Sequence, residues 1–166
     1  YFVTRDANFD ALSLDPQNPG PWADRINALT KLQDINSTDL SAFYQHGGKL
    51  LMAHGSADAL VSTRATAQYY ERLQYTMGRH LVARFARYYE VPGYGHAVST
   101  AFNANWDSLK ALDQWATTGA APGPQVVSDT AGVPGRTRPL CDYPGWPRYN
   151  GSGDVNKAES FSCVTP

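Results

Sequence analysis

The sequence has 166 residues, 42% of them hydrophobic, and its 14 Lys and Arg against 15 Asp and Glu leave a formal charge of -1. That is the balance of one ordinary globular domain able to bury a core. The cationic residues are scattered rather than gathered into a stripe or tail, which excludes nucleic acid as a partner, and no run approaches the roughly 20 apolar residues that cross a bilayer, which excludes membrane insertion.

The first residue is Tyr1 rather than Met and no leader-like stretch follows, so the sequence reads as a processed product or a piece of something longer. Residues 1–37, with Asp15-Pro16 and Asn18-Pro19-Gly20-Pro21, show little periodicity beyond Ile26, Leu29 and Leu32. They are expected to form an irregular connecting segment with one short helix over Trp22 to Leu32. Thr38 or Asp39 suits the cap of a helix whose Leu40, Phe43 and Tyr44 share a face, and Gly47-Gly48 suits its end. Leu50 to Ala53 is a short continuous apolar run, the pattern of a strand buried on both faces. A helix is expected from Thr63 to Gly78, with Tyr69 or Tyr70, Leu73 and Met77 on its inner face. A second strand is expected over Ala83 to Val91, stopped by Pro92-Gly93.

From Asn103 to Thr118, Trp106, Leu109, Leu112 and Trp115 recur every third residue, which predicts an amphipathic helix ended by Gly119. The order helix, strand, helix, strand, helix is that of an α/β protein with a parallel sheet. Residues 38–119 thus form the core, and 120–166 a tail holding seven of the 11 prolines. Apart from a strand over Gln125 to Ser128, the tail is expected to be loops. Its Cys141 and Cys163, 22 positions apart, suit an extracellular disulfide better than a metal site or a catalytic thiol. Asn36-Ser37-Thr38 and Asn150-Gly151-Ser152 match the glycosylation acceptor pattern, which arises often by chance.

Asp58 and His96 each follow an apolar run that breaks into a Gly-containing turn. If the two runs are neighbouring parallel strands, the two side chains emerge at adjacent strand ends, where a carboxylate can fix the tautomer of an imidazole acting as general base. On residue types alone the plainer reading is the stronger: an Asp bonding its own turn and a loop His satisfied by a carbonyl. His54 suits a structural role bonding nearby backbone, and His46 and His80 suit solvated helix ends. Nothing in the histidine spacing suggests a metal site. The third member of a hydrolytic triad is missing, because no serine occupies a G-x-S-x-G elbow. Ser56 lies between Gly55 and Ala57, and Ser99 lies in the loop after His96.

Several stretches together resemble the tannase and feruloyl esterase family: Asp39 to Phe43, Gly47 to Asp58, Val91 to Ala97, Asn103 to Trp115 and Gly135 to Asp154, closed by Phe161 and Cys163. The resemblance implies the C-terminal part of an α/β-hydrolase fold with a loop-rich tail, in which Asp58 orients His96 and a Cys141 to Cys163 bridge matches the family's last disulfide. It implies a secreted or periplasmic serine esterase for feruloyl, galloyl or terephthalate monoesters. The nucleophilic Ser, the oxyanion donors and a lid with a structural calcium would lie on a preceding segment, which becomes the expected partner. This chain needs no cofactor of its own.

Residues 1–37 would then lead in from the lid, and Leu60 and Val61 are placed on the pocket rim beside Asp58. One departure stands out. Where the family commonly has a Cys after the catalytic His, bridged to a Cys beside the nucleophile, this chain has Ala97. The alternative is a noncatalytic fragment or binding lobe of the same fold.

Overall fold

The computed structural model describes residues 1–98 and 101–166. The chain divides into two compact units, Tyr1–Ser37 and Thr38–Pro166. In the first, 3-10 turns at Ala11–Ser13 and Gly20–Trp22 precede helix α1, Ala23–Gln33, and Phe9 packs edge-on against Trp22 with ring centres 6.1 Å apart. No residue of α1 is buried.

The second unit opens with the short helix α2, Ser41–Gln45, where the Asp39 carboxylate accepts from the Ser41 amide at 3.0 Å. Strand β1, Leu50–Gly55, pairs in parallel with β2, Ala86–Val91, in a register running from Leu50 opposite Ala86 to Gly55 opposite Val91. Parallel strands need a crossover, and here it is helix α3, Thr63–Met77, followed by the single turn α4, Arg79–Val82. The Ser62 hydroxyl caps α3 by accepting from the Ala65 amide, and Gly78, at φ +85°, ends it in a conformation that L side chains avoid.

Strand alternation then builds two cores. Tyr88 of β2, with Leu50 and Met52 of β1, packs on Tyr70, Leu73, Val82 and Phe85. Tyr89 and Val91, with Leu51, face Phe102, Val127 and Leu140 on the other side.

Three expectations need correction. The stretch Ala83 to Phe85 is a turn after α4 rather than strand, because Phe85 bonds back to the Val82 carbonyl at 3.0 Å; its aromatic side chain is buried all the same. Strand β1 is only half-buried, with Ala53 exposed, and among the described residues it pairs with β2 alone. The outer edge of β2 is occupied by the tail, through a bridge from Tyr89 to Asp142 and the Tyr143 amide bonding the Tyr88 carbonyl at 2.9 Å.

The third correction concerns the last helix. Residues Ala104–Asn105 form a short strand, β3, and helix α5 begins only at Ser108, capped by the Asp107 carboxylate, and runs to Thr118. A three-residue repeat falls behind the helical period by about 60° at each step, so it cannot stay on one face. Leu109 is therefore 76% exposed, while Ala111 and Trp115, four apart, are buried. Lys49 Nζ and the Arg87 guanidinium both approach the Trp115 ring, 5.6 and 5.4 Å from its centre.

The tail carries more strand than expected. Strands β4, Gln125–Asp129, and β5, Thr137–Leu140, join β3 in an antiparallel sheet, and β6, Trp146–Tyr149, pairs with β7, Phe161–Val164. Pro139 and Pro147 hid β5 and β6, yet both sit in edge strands, where a missing amide leaves no ladder bond unmade. Cys141 and Cys163 are joined by a disulfide with Cα atoms 5.5 Å apart. Breaking the bridge by Cys163→Ser is expected to lower stability by about 3 kcal/mol, as loop-closure entropy dictates for a loop of this size. Equal denaturation midpoints for variant and parent would contradict this.

Asp129, 2% exposed, organises the turn after β4. Its Oδ1 accepts from the amides of Asn103, Ala131 and Gly132, each at 3.0 Å, and its Oδ2 from the Val133 amide at 2.8 Å and Arg136 Nη2 at 2.6 Å. Burial pushes this carboxyl up, but the Val133, Ala131, Asn103 and Gly132 amides together outweigh it and hold the group well below the usual carboxylate range. A folded-state value below the unfolded one contributes stability that is present above the ordinary carboxyl pKa and is lost as pH falls toward the folded value. Asp129→Asn should therefore destabilise the protein at neutral pH and flatten the loss of stability below about pH 4. Urea denaturation at several acid pH values, compared with the parent, checks the slope; parallel slopes would count against it.

Candidate active site

Both predicted residues stand at the C-terminal end of the parallel pair, held there by bonds between the two turns. After Gly55 the chain crosses toward the β2 turn, with the Ser56 amide on the Val91 carbonyl and the Ala57 amide on the Tyr94 carbonyl, each at 3.0 Å. The Gly93 amide returns the contact by donating to Ser56 Oγ at 2.8 Å. The Tyr94 hydroxyl closes its own turn by donating to the Ala97 carbonyl.

Gly55 makes this approach possible, because a Cβ there would lie 2.2 Å from the Tyr94 carbonyl oxygen and 2.6 Å from that of Gly95. Backbone cannot give way as a flexible side chain would. Gly55→Ala is expected to cost about 1–3 kcal/mol and to move the His96 turn away from Asp58. Thermal unfolding and the histidine imidazole NMR signals would register both effects, and an unchanged spectrum would refute the second.

The Asp58 side chain is 3% exposed and fully engaged. Its Oδ1 accepts from the amides of Leu60 and Val61 at 2.8 and 2.9 Å. Its Oδ2 lies 3.0 Å from His96 Nδ1 and 3.0 Å from His54 Nε2. The Val61 amide is the largest influence on its acidity and lowers it; burial opposes, and the Leu60 amide and the two imidazoles carry the carboxyl well below its usual range. Asp58 is therefore a carboxylate at neutral pH. An ionised carboxylate only accepts, so His96 must present Nδ1–H to it. That leaves Nε2 with a lone pair and, among the described residues, without a hydrogen bond. The His96 side chain is 50% exposed.

A cavity of about 260 Å³ opens beside this pair, lined by Ala53, His54, Gly55, Asp58, Val61, Val91, Tyr94, Gly95 and His96. Val61 lines it. Leu60 does not: the residue is 79% exposed, and what it brings to the site is its amide. None of the described lining residues carries an aliphatic hydroxyl or a thiol. Ser56 is engaged with Gly93, and Ser99 lies outside the described residues. His46 and His80 are exposed.

His54 differs from expectation. It bonds side chains rather than backbone, with Nδ1 2.7 Å from Thr66 Oγ1 on α3 and Nε2 on Asp58. The four-residue spacing from His54 to Asp58 was visible, but it joins a strand to a turn, where spacing alone does not imply contact. Among the described residues no group of three His, Cys, Asp or Glu side chains is arranged to hold a metal ion.

A parallel strand pair with helices packed on it, a carboxylate and an imidazole at its C-terminal end and a disulfide-bonded tail define the α/β-hydrolase class. The family model for tannase and feruloyl esterase matches residues 1–164. The chain belongs to the tannase and feruloyl esterase family.

It is 41% identical over 165 residues to an uncharacterized esterase of Agrobacterium fabrum, covering 98% of this chain and 30% of that protein. It is 43% identical over 136 residues to the mono(2-hydroxyethyl) terephthalate hydrolase of Piscinibacter sakaiensis, covering 78% of this chain and 22% of the relative. The crystal structure of feruloyl esterase B from Aspergillus oryzae superposes with a TM-score of 0.81 at 26% identity, covering 99% of this chain and 35% of that one. The chain thus spans about a third or less of the length of these relatives.

Proposed function

We propose that this chain supplies the acid and the base of a serine-type carboxylic ester hydrolase acting on esters of aromatic acids, the nucleophilic serine lying on a segment outside these 166 residues. The observation that carries the proposal is the 3.0 Å contact between Asp58 Oδ2 and His96 Nδ1 at adjoining strand ends. It leaves His96 Nε2 as the basic atom, in the tautomer a general base for a hydroxyl nucleophile requires. Feruloyl, galloyl and terephthalate monoesters are the substrate classes in view. Two of them accord with the names of the Aspergillus and Piscinibacter relatives.

In this reading the serine Oγ attacks the ester carbonyl while His96 Nε2 takes its proton, and the Asp58 carboxylate stabilises the resulting imidazolium. Collapse of the tetrahedral intermediate breaks the bond to the alcohol oxygen, which leaves with the proton from Nε2. Water then repeats the sequence on the acyl-enzyme, losing its proton to Nε2, and releases the acid and the free serine. Val61, and Leu60 at the rim, would border the substrate. Oxyanion donors and a lid with its calcium belong to the same outside segment. The disulfide accords with secretion or a periplasmic location.

In the esterase that joins this chain to its nucleophile-bearing segment, His96→Ala should reduce kcat on an aromatic-acid ester by at least about 1,000-fold, the scale on which a triad member matters. Turnover within a few-fold of the parent would sink the proposal. Retained ligand binding with no turnover even in the parent would favour a binding lobe instead.

A further inference from the structure

Asp58 has a second imidazole on the same oxygen as the first. His54 Nε2 and His96 Nδ1 both approach Oδ2 at 3.0 Å, while the Leu60 and Val61 amides occupy Oδ1. A carboxylate offers about four lone-pair sites, and all four are taken. We infer that His54, its ring held by the contact of Nδ1 with the Thr66 hydroxyl, is a positioning residue that holds the Asp58 carboxylate so that its one remaining lone pair is directed at His96.

The proton positions follow from the acceptor. An ionised Asp58 accepts only, so a ring nitrogen at 3.0 Å must carry hydrogen, and His54 donates from Nε2. Its Nδ1 then holds a lone pair, and the atom 2.7 Å away is Thr66 Oγ1, which must turn its hydrogen toward the ring. A helical threonine more often donates to a carbonyl one turn back, but among the described residues the Thr66 hydroxyl has only this partner. Helix α3 thereby orients the ring of a strand residue, and that residue holds the acid.

His54 is also a suitable kind of donor. Its side chain is 13% exposed and it covers Oδ2 from water. A neutral imidazole donor would hold the oxygen without cancelling its charge, whereas a lysine or arginine there would compete with the imidazolium that forms on His96. With every lone pair engaged, the carboxylate cannot rotate about its own axis without breaking four bonds at once.

This inference rests on the triad reading, and its test separates the two. Long-range proton–nitrogen correlation spectra of the 166-residue chain labelled with 15N-histidine, recorded at about pH 8.5 where ordinary histidines are neutral, report tautomers directly. The expected result is Nε2–H for His54 and Nδ1–H for His96. In the assembled esterase, His54→Leu should lower kcat about 10- to 100-fold with KM changed less than about twofold, the cost of misplacing a catalytic group.

His54→Gln, whose amide can still donate to Oδ2, should recover most of that loss. A His54 protonated at Nδ1 would overturn the inference, as would full kcat in His54→Leu or a Gln variant no better than Leu. If instead His96→Ala left turnover intact, the triad reading would fail, while the tautomer spectra would still decide how His54 meets Asp58.

Discussion

A carboxylate that is 3% exposed stays ionised only where donors surround it, and the site is arranged around meeting that requirement for Asp58. Two donors are amides of the loop that follows it, so the loop cannot change course without stranding the charge. The other two are imidazoles, one from β1 and one from the turn after β2. The parallel register, the close approach at Gly55 and the cap contact between Ser56 and Gly93 all bring these groups to one point. Local backbone geometry and the electrostatics of the site are therefore one constraint.

The tail repeats the principle without the chemistry. Asp129 is buried, gathers four backbone amides and a guanidinium, and fixes a turn. Its Asn103 contact joins that turn to the chain a few residues beyond the His96 loop. The difference between the two carboxylates is that Asp129 spends every acceptor on structure, whereas Asp58 keeps one for an exposed imidazole.

The sequence was most legible where local chemistry decides. The helix stop at Gly78, the strand at Leu50, and the placing of Asp58 and His96 after adjacent apolar runs all follow from turn residues and short-range pattern. It was least legible where partners lie far along the chain. Strands β5 and β6 contain prolines, and only their edge positions, set by β4 and β7, make them strands. Spacing also misled at Leu109, where a three-residue repeat imitates a helix face but walks around it. His54 could not be assigned to Asp58, because its orientation depends on Thr66, a residue of the next helix. The rim position expected for Leu60 illustrates a related limit: sequence places the residue in the loop, but not which of its atoms meets Asp58.

The tail segment at Asp142 and Tyr143 closes the outer edge of β2 and makes the small parallel sheet directional. The tail occupies that side at Tyr88 and Tyr89, so a further strand could pair there only by displacing the disulfide-bonded tail. Along β1 the ladder groups remain available among the described residues. Any extension of the sheet therefore proceeds past β1, away from the tail and on the side where His54 and Asp58 leave the strand. Growth in that direction would seat the end of the first added strand beside the acid.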